Sequence, residues 1–492
     1  MARKRGDVVA GTRAIVAQRR LAHAHAWRPR TAVRRSPRLR FGGVDMSQSS
    51  ANVLDCVERP RHSDGVTYGA ILEDLEAREL VQDSTDRAAL AARLAEGPIV
   101  LYCGFDPTAD SLHAGHLLGL LTLRRFQLHG HRPIALAGGA TGMIGDPGGR
   151  SEERNLLTDI ELAHNLESIV PQLRRLLDFD AGPAQARLHD NRSWTVALTA
   201  IDFLRDVGKH VTVNNMLGKE SVRSRIESEH GISYTEFSYM LLQAHDFLQL
   251  NELEGCELQI GGSDQWGNIT LGVDLVRRRA GRRVHGLTWP LLTRADGTKY
   301  GKTASGEQPW LAAHRLSPYR FFQLWMQLDD ADVRKPLLQL TLLPVPDVET
   351  IMAEHNEHPE LRGAQRRLAL ELTALVHGEQ AARASAAASQ VLFGGDAVAA
   401  DEATLTTIAG EVPSTTMSRQ RILDGMDPVD LLVEVGLAAS RGDARRTLEQ
   451  RGIAVNNAKL DPGGTVGEPQ LLHGRFMLLR KGRSNYHLVI AE

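Results

Sequence analysis

The chain has 492 residues, 42% hydrophobic and 24% charged, with a net charge of -2. That length exceeds one compact core and predicts roughly two to four domains of ordinary globular composition, and no apolar run reaches the roughly 20 residues that cross a bilayer. Cys56, Cys103 and Cys256 form no CxxC pair, which argues against a structural zinc or a disulfide framework and for a reducing compartment.

The charge is uneven. Residues 1–45 hold 12 Arg or Lys against Asp7 and Asp45, leaving 46 basic and 58 acidic residues, a net charge of -12, for residues 46–492. Three readings of this Arg-rich segment compete: an organelle transit peptide, an RNA-binding arm, or an over-long start. The last is favoured, because Met46 opens a polar run, Ser47-Gln-Ser-Ser50, with the look of a natural N-terminus. Residues 1–66 are read as a basic, disordered extension.

Order is expected from Tyr68. Ile71, Leu72, Leu75 and Leu80 have helical spacing over 68–80, and a second helix runs from Asp86 to about Leu94. Pro98–Tyr102 reads as a buried parallel strand that ends at Cys103-Gly-Phe-Asp-Pro107. A helix over 115–127 and a strand over 133–137 follow. This order opens a doubly wound, Rossmann-like α/β domain, which binds ligands at the carboxyl ends of its strands. Residues 235–250 are helical, and 257–266 read as a strand entering a glycine turn. Residues 318–392 are mostly helical. Residues 396–425, rich in Ser, Thr and Gly, read as a linker, and 426–492 as a small α+β unit of two helices and short strands.

Two constellations carry chemistry. In Asp106-Pro-Thr-Ala-Asp-Ser-Leu-His113-Ala-Gly-His116, two imidazoles three positions apart open a helix, whose free amides attract phosphate. Thr108 adds a hydroxyl donor, and Gly115 permits close approach of a nucleotide. A metal pair or a solvated surface remains open for the two histidines taken alone. In Arg294–Gly306, Lys299 and Lys302 lie in a Gly-, Ser- and Thr-rich loop near 296–306 suited to holding a triphosphate. A charged surface turn is its bland reading. A third pattern, Tyr239, Gln243 and Asp246, puts polar side chains on one helical face, as in a lined pocket; a buried hydrogen-bond network without a ligand is the alternative.

Together these residues resemble the class I aminoacyl-tRNA synthetases, and among them the bacterial-type tyrosyl-tRNA synthetases. The resemblance rests on Tyr102–His116, Gly138–Pro147, Tyr239–Asp246, Gln259–Asn268 and Asp296–Thr303, and runs from about residue 68 to the C-terminus. Ala114 stands where the class has Ile, and Tyr300-Gly301 where it has Met-Ser; both lysines remain.

The resemblance implies ATP-dependent activation of L-tyrosine to tyrosyl-adenylate, with release of pyrophosphate, then transfer to tRNA(Tyr). It implies that Tyr102 and Asp246 meet the phenol, that Asp146, Tyr239 and Gln243 meet the ammonium, and that Gln265 lies near the carboxylate. Cys103, Gly104, Asp106, Gly262 and Asp264 fall on the nucleotide side. Thr108, His113, Lys299 and Lys302 hold phosphates, His116 shapes the helix start and with Thr303 completes the catalytic set, and Arg150 and Arg154 close over pyrophosphate. Magnesium accompanies ATP, with no tightly bound cofactor and no protein-held metal. The expected domains are a catalytic domain over 67–312, a helical domain over 313–395 that meets the anticodon limb, the linker, and an RNA-binding domain over 426–492, where Arg441, Arg445, Arg446, Arg475, Arg480, Lys481 and Arg483 cluster. A cytoplasmic homodimer is expected, or an organellar one if residues 1–45 are a transit peptide. A tryptophanyl-tRNA synthetase, a simple nucleotidyltransferase and a synthetase-derived RNA-binding splicing factor are the competing readings. Tyr102 paired with Asp246 argues against the first, the lysine loop against the second, and the intact motifs against the third.

Overall fold

The computed structural model describes residues 68–147, 157–227, 231–294, 296–298, 308–461 and 463–492. The expected extension, Arg150, Arg154, Lys299, Lys302 and Thr303 lie outside the described residues.

Helix α1 (Ala70–Ala77) buries Ile71, Leu72 and Leu75. It stops short of the expected residue 80 because Glu79 adopts a left-handed backbone, φ 58°, which breaks helical geometry. The short strand β1 (Asp83–Ser84) and helix α2 (Arg87–Glu96) follow; Asp86 caps α2 by accepting from the Ala89 amide at 3.0 Å. Then come β2 (Val100–Phe105), α3 (Ala114–Leu128), β3 (Arg132–Ala137), α4 (Asp159–Leu176) and β4 (Arg187–Asp190). Short helical turns between 192 and 226 lead to α5 (Tyr234–Glu254), β5 (Cys256–Gly262), α6 (Trp266–Ala280) and β6 (His285–Trp289). Gly255 and Gly281, at φ 67° and 65°, end α5 and α6 where a side chain would be strained.

The six strands lie in the order β1-β6-β5-β2-β3-β4, all parallel but the antiparallel edge strand β1. Both faces are covered, as a parallel sheet requires. Alternation along β2 divides the cores: Leu101 and Cys103 join one, and Tyr102 joins the other with Phe247 and Leu248 of α5.

Helices α7 (Pro318–Met326), α8 (Arg334–Leu340), α9 (Val345–Glu357), α10 (Gly363–His377) and α11 (Glu379–Leu392) form the helical region. They do not have a core of their own. Phe321, Trp325, Leu338 and Leu372 belong to the same buried cluster as Leu117 and Leu121 of α3, so residue 312 is not a core boundary.

Residues 396–425 differ from the expected linker. They hold α12 (Glu402–Ala409) and β7 (Ser414–Met417), and Leu405 and Ile408 are buried. After helices α13 (Pro428–Glu434) and α14 (Arg441–Glu449) come β8 (Ile453–Val455), β9 (Ala458–Lys459), β10 (Phe476–Lys481) and β11 (Asn485–Ala491). β7 pairs in parallel with β11, Leu488 opposite Ser414, and completes a sheet ordered β7-β11-β10-β8-β9. A Ser- and Thr-rich segment reads as loop from composition, yet Thr fits a pleated edge well once a partner strand is there.

Candidate functional site

The strand order dictates where the site lies. The chain runs outward from β2 through β3 to β4, then returns to β5 on the other side of β2. At such a reversal the loops leave neighbouring strands in opposite directions and open a crevice. A cleft of about 400 Å³ opens there, within the size range of small-molecule sites. Tyr102, Cys103, Gly104, Asp106, Thr108, His113, His116, Asp146, Tyr239, Gln243, Asp246, Gly262, Asp264 and Gln265 all line it. Every predicted site residue within the described part is therefore brought to one cleft.

Asp246 lies at the buried end. Its two carboxylate oxygens accept from Asn191 Nδ2 at 2.9 Å and from Trp194 Nε1 at 2.8 Å. Burial pushes its pKa up to about 7, against the pull of those two donors. Tyr102 is 1% exposed, and its hydroxyl has no hydrogen-bond partner among the described residues. Burial, and then the neighbouring Asp246 charge, hold the Tyr102 phenol well above its ordinary range. A buried donor without an acceptor is costly, so the pair fits a ligand group that accepts from Tyr102 and donates to Asp246. A phenol hydroxyl does both.

Asp106 is turned to the same side. It accepts from the Tyr239 hydroxyl at 2.9 Å and from Thr141 Oγ1 at 2.7 Å. Besides lining the cleft, where the resemblance puts it on the nucleotide side, its carboxylate is thus bonded to the Tyr239 hydroxyl. With its proton directed at Asp106, the Tyr239 oxygen keeps lone pairs for a cation. Asp146 accepts from Gln265 Nε2 at 2.6 Å, and Asn268 Nδ2 donates to both Gln243 Oε1 (3.0 Å) and Gln265 Oε1 (3.1 Å). The result is a ring of acceptors suited to an ammonium group.

Gly138 makes this packing possible. A Cβ built there overlaps Asp106 Oδ1 and Thr141 Oγ1. Gly138→Ala is expected to cost about 1–3 kcal/mol of stability through overpacking and to raise KM for the amine-bearing substrate. Thermal melting and steady-state kinetics check both; an unchanged KM would detach Asp106 from substrate binding.

At the other end, His113 is the N-cap of α3 with extended backbone. Its Nδ1 accepts from the Gly115 amide at 3.1 Å, and His116 Nδ1 accepts from the His113 amide at 3.2 Å. The rings stack at 3.9 Å. An imidazole that accepts through Nδ1 carries its proton on Nε2. Both histidines can therefore cap the helix and still present an Nε2–H donor at the cleft. The Cys103 thiol is buried and pushed up to about 12 by burial, so it stays neutral. Among the described residues no group of three or more His, Cys, Asp or Glu is placed to hold a metal ion.

Asn191, Trp194, Thr141 and Asn268 were missed from sequence. Asn191 and Trp194 follow the carboxyl end of β4, and the strand-end rule is the signal that could have found them.

Residues 94–394 match the family described as tRNA synthetases class I (W and Y), and residues 404–489 match the tyrosine–tRNA ligase SYY-like C-terminal domain. The second match begins in α12, within the segment first read as a linker. A tyrosine–tRNA ligase from Opitutus terrae is 53% identical over 421 residues, covering 85% of this chain and 99% of the relative. One from Roseiflexus castenholzii is 52% identical over 424 residues, again covering 85% and 99%. A C-terminally truncated mitochondrial tyrosyl-tRNA synthetase from Aspergillus nidulans superposes with a TM-score of 0.60 at 31% identity, covering 66% of this chain and 94% of that one.

Proposed function

We propose a division of labour among these residues from one premise: the chain belongs to the tyrosyl-tRNA synthetases of class I. The reaction is that of a tyrosine–tRNA ligase. The tyrosine carboxylate attacks the α-phosphate of ATP, a new C–O–P linkage forms, and pyrophosphate leaves. The terminal ribose hydroxyl of the tRNA then attacks the adenylate carbonyl, and AMP leaves. No side chain need become covalently bound. The protein aligns the reactants and stabilises charge at phosphorus.

In this reading Tyr102 and Asp246 bind the phenol, and Asp146, Tyr239 and Gln243 bind the ammonium. Gln265 reaches the carboxylate from its hydrogen bond with Asp146. Asp106 orients Tyr239, and Asn191 and Trp194 orient Asp246. Cys103, Gly104, Gly262 and Asp264 receive the nucleoside. Thr108, His113, His116, Lys299, Lys302 and Thr303 stabilise the phosphates, with Arg150 and Arg154 on pyrophosphate. Magnesium arrives with ATP, held by phosphate and water oxygens. The observation that carries tyrosine as the substrate is the Tyr102 hydroxyl, without a hydrogen-bond partner among the described residues and beside Asp246 at the buried end.

For the RNA, we propose that Arg445, Arg446 and Arg483 meet phosphates. They are exposed and outside any ion pair among the described residues, whereas Arg441 pairs with Asp430, Arg475 with Glu402 and Lys481 with Asp443. Such contacts bind phosphate without reading sequence. The helical region meets the anticodon limb. A cytoplasmic homodimer completes the reading. Ile201, Leu204, Val213 and Tyr234 are 70%, 50%, 59% and 72% exposed, an apolar surface of the kind that partners cover, and buried Cys103 and Cys256 are free thiols, as suits a reducing compartment.

The deciding experiment is exchange of labelled pyrophosphate into ATP, with tyrosine, tryptophan or phenylalanine supplied in turn. Exchange with tyrosine alone is expected. Exchange supported by tryptophan and not by tyrosine would overturn the reading.

A further inference from the structure

Two buried arginines stand apart from the cleft. Arg78 follows α1, and Arg125 lies in the last turn of α3, the helix that His113 caps and whose first turn holds His116. They are 5% and 2% exposed. A buried guanidinium normally needs a carboxylate. Arg78 has one, with Nε 2.8 Å from Asp74; Arg125 makes no ion pair among the described residues, and its Nε and Nη1 have no hydrogen-bond partner there.

Both side chains turn to backbone carbonyls more than 200 residues away. Arg78 donates to Leu338 O at 3.0 Å and to Leu343 O at 2.8 Å. Arg125 Nη2 donates to Gln339 O at 2.9 Å and to Thr341 O at 2.6 Å. These carbonyls end α8 and the turn that leads into α9. A helix leaves its last carbonyls unpaired and carries partial negative charge there. Two cations from the catalytic part therefore hold the end of α8.

An apolar side chain of similar volume would spare the burial cost that Arg125 recovers only in part, but it would leave the buried carbonyls that Arg125 holds without their donor. What an apolar residue cannot do is fix direction. A guanidinium sets the angle and spacing of several carbonyls at once. α3 is a fifteen-residue rod, about 22 Å long, so it ties the position of α8 at one end to His113 and His116 at the other. Another guanidinium reinforces the pattern: Arg175 of α4 donates to Leu375 O in α10 at 3.2 Å.

We propose that Arg78 and Arg125 are positioning residues for tRNA charging: they set the angle between the catalytic helix α3 and the helical region, so that one tRNA reaches both. This rests on the reading that the helical region meets the anticodon limb. Formation of the adenylate uses only the cleft and does not depend on that angle.

The test uses the full chain with Arg125→Lys, Arg78→Lys and Arg125→Met. Lysine keeps the charge but offers one compact donor group, which cannot span the carbonyls from Leu338 to Thr341. For the lysine variants kcat/KM for tRNA is expected to fall about tenfold while tyrosine-dependent pyrophosphate exchange stays within about twofold, a coupling of ordinary size. If Arg125→Met fails to fold, the lysine variants decide. A parallel loss in exchange and aminoacylation marks a structural role and overturns the proposal, as does no change in either. Absence of tyrosine-dependent exchange in the unaltered protein would instead overturn the assigned reaction, so the two failures are distinct.

Discussion

Asp246→Ala is expected to lower kcat/KM for tyrosine by about 10- to 100-fold, because the substrate phenol then loses its buried acceptor, at about 1–3 kcal/mol. Asn191 Nδ2 and Trp194 Nε1, both bonded to the carboxylate, lose the same acceptor. They lose it with or without substrate, so that cost falls on stability. KM for ATP should hold, since the carboxylate lies at the buried end of the cleft, away from His113 and His116. Tyrosine-dependent pyrophosphate exchange at varied tyrosine and varied ATP separates the two. Unchanged tyrosine kinetics would remove Asp246 from the pocket.

The same carboxylate sets a pH dependence. Its pKa in the folded protein is about 7, raised by burial above the usual carboxylate range. Between that range and about 7 the folded, ligand-free protein retains a proton that the unfolded chain has released. Stability therefore falls as pH rises through this window. Binding of the phenol as donor selects the ionised form, so tyrosine affinity rises over the same window. Asp246→Asn should flatten both slopes, and melting curves with and without tyrosine from pH 5 to 8 would read them. Opposite slopes for stability and affinity are the signature; slopes of the same sign would contradict it.

What sequence could and could not show follows from distance along the chain. The His113–His116 segment was legible because its residues are adjacent and sit at a strand–helix junction. Tyr239, Gln243 and Asp246 were legible because helical spacing puts them on one face. The support for that pocket was not legible. Asn191 and Trp194 meet Asp246 across 55 and 52 residues, and Asp106 meets Tyr239 across 133. No local pattern carries such pairs. Arg78 and Arg125 are harder still, since their partners are backbone carbonyls, which every residue has. Residues 396–425 show the opposite error. Their composition was read correctly as loop-forming, but pairing of Ser414–Met417 with β11 overrides it.

That pairing changes how the RNA-binding part should be removed. A cut before residue 427 leaves β7 without β11, and strands Leu405 and Ile408 beside an exposed core. A cut after Gly395 removes the whole sheet with α12. It still uncovers Ala388 and Val391 of α11, which pack with Leu405, Phe476 and Tyr486, and it frees the Val391 and Gly395 carbonyls that Asn457 Nδ2 holds at 3.0 and 2.7 Å. Neither carbonyl is near the cleft, and as the new chain end both can meet water. The shortened protein is therefore expected to keep tyrosine-dependent pyrophosphate exchange within about twofold while its kcat/KM for tRNA falls about 100-fold, or about 2.7 kcal/mol. That loss is roughly 1 kcal/mol for each of Arg445, Arg446 and Arg483. The mechanism has its own readout. Phosphate contacts release counterions, so the full chain should lose tRNA affinity steeply as salt rises. The shortened chain should lose it less steeply, by a slope of about one for each contact removed. An equal loss of exchange and aminoacylation would make the C-terminal domain a structural support, and an unchanged salt slope would remove those three arginines from the RNA interface.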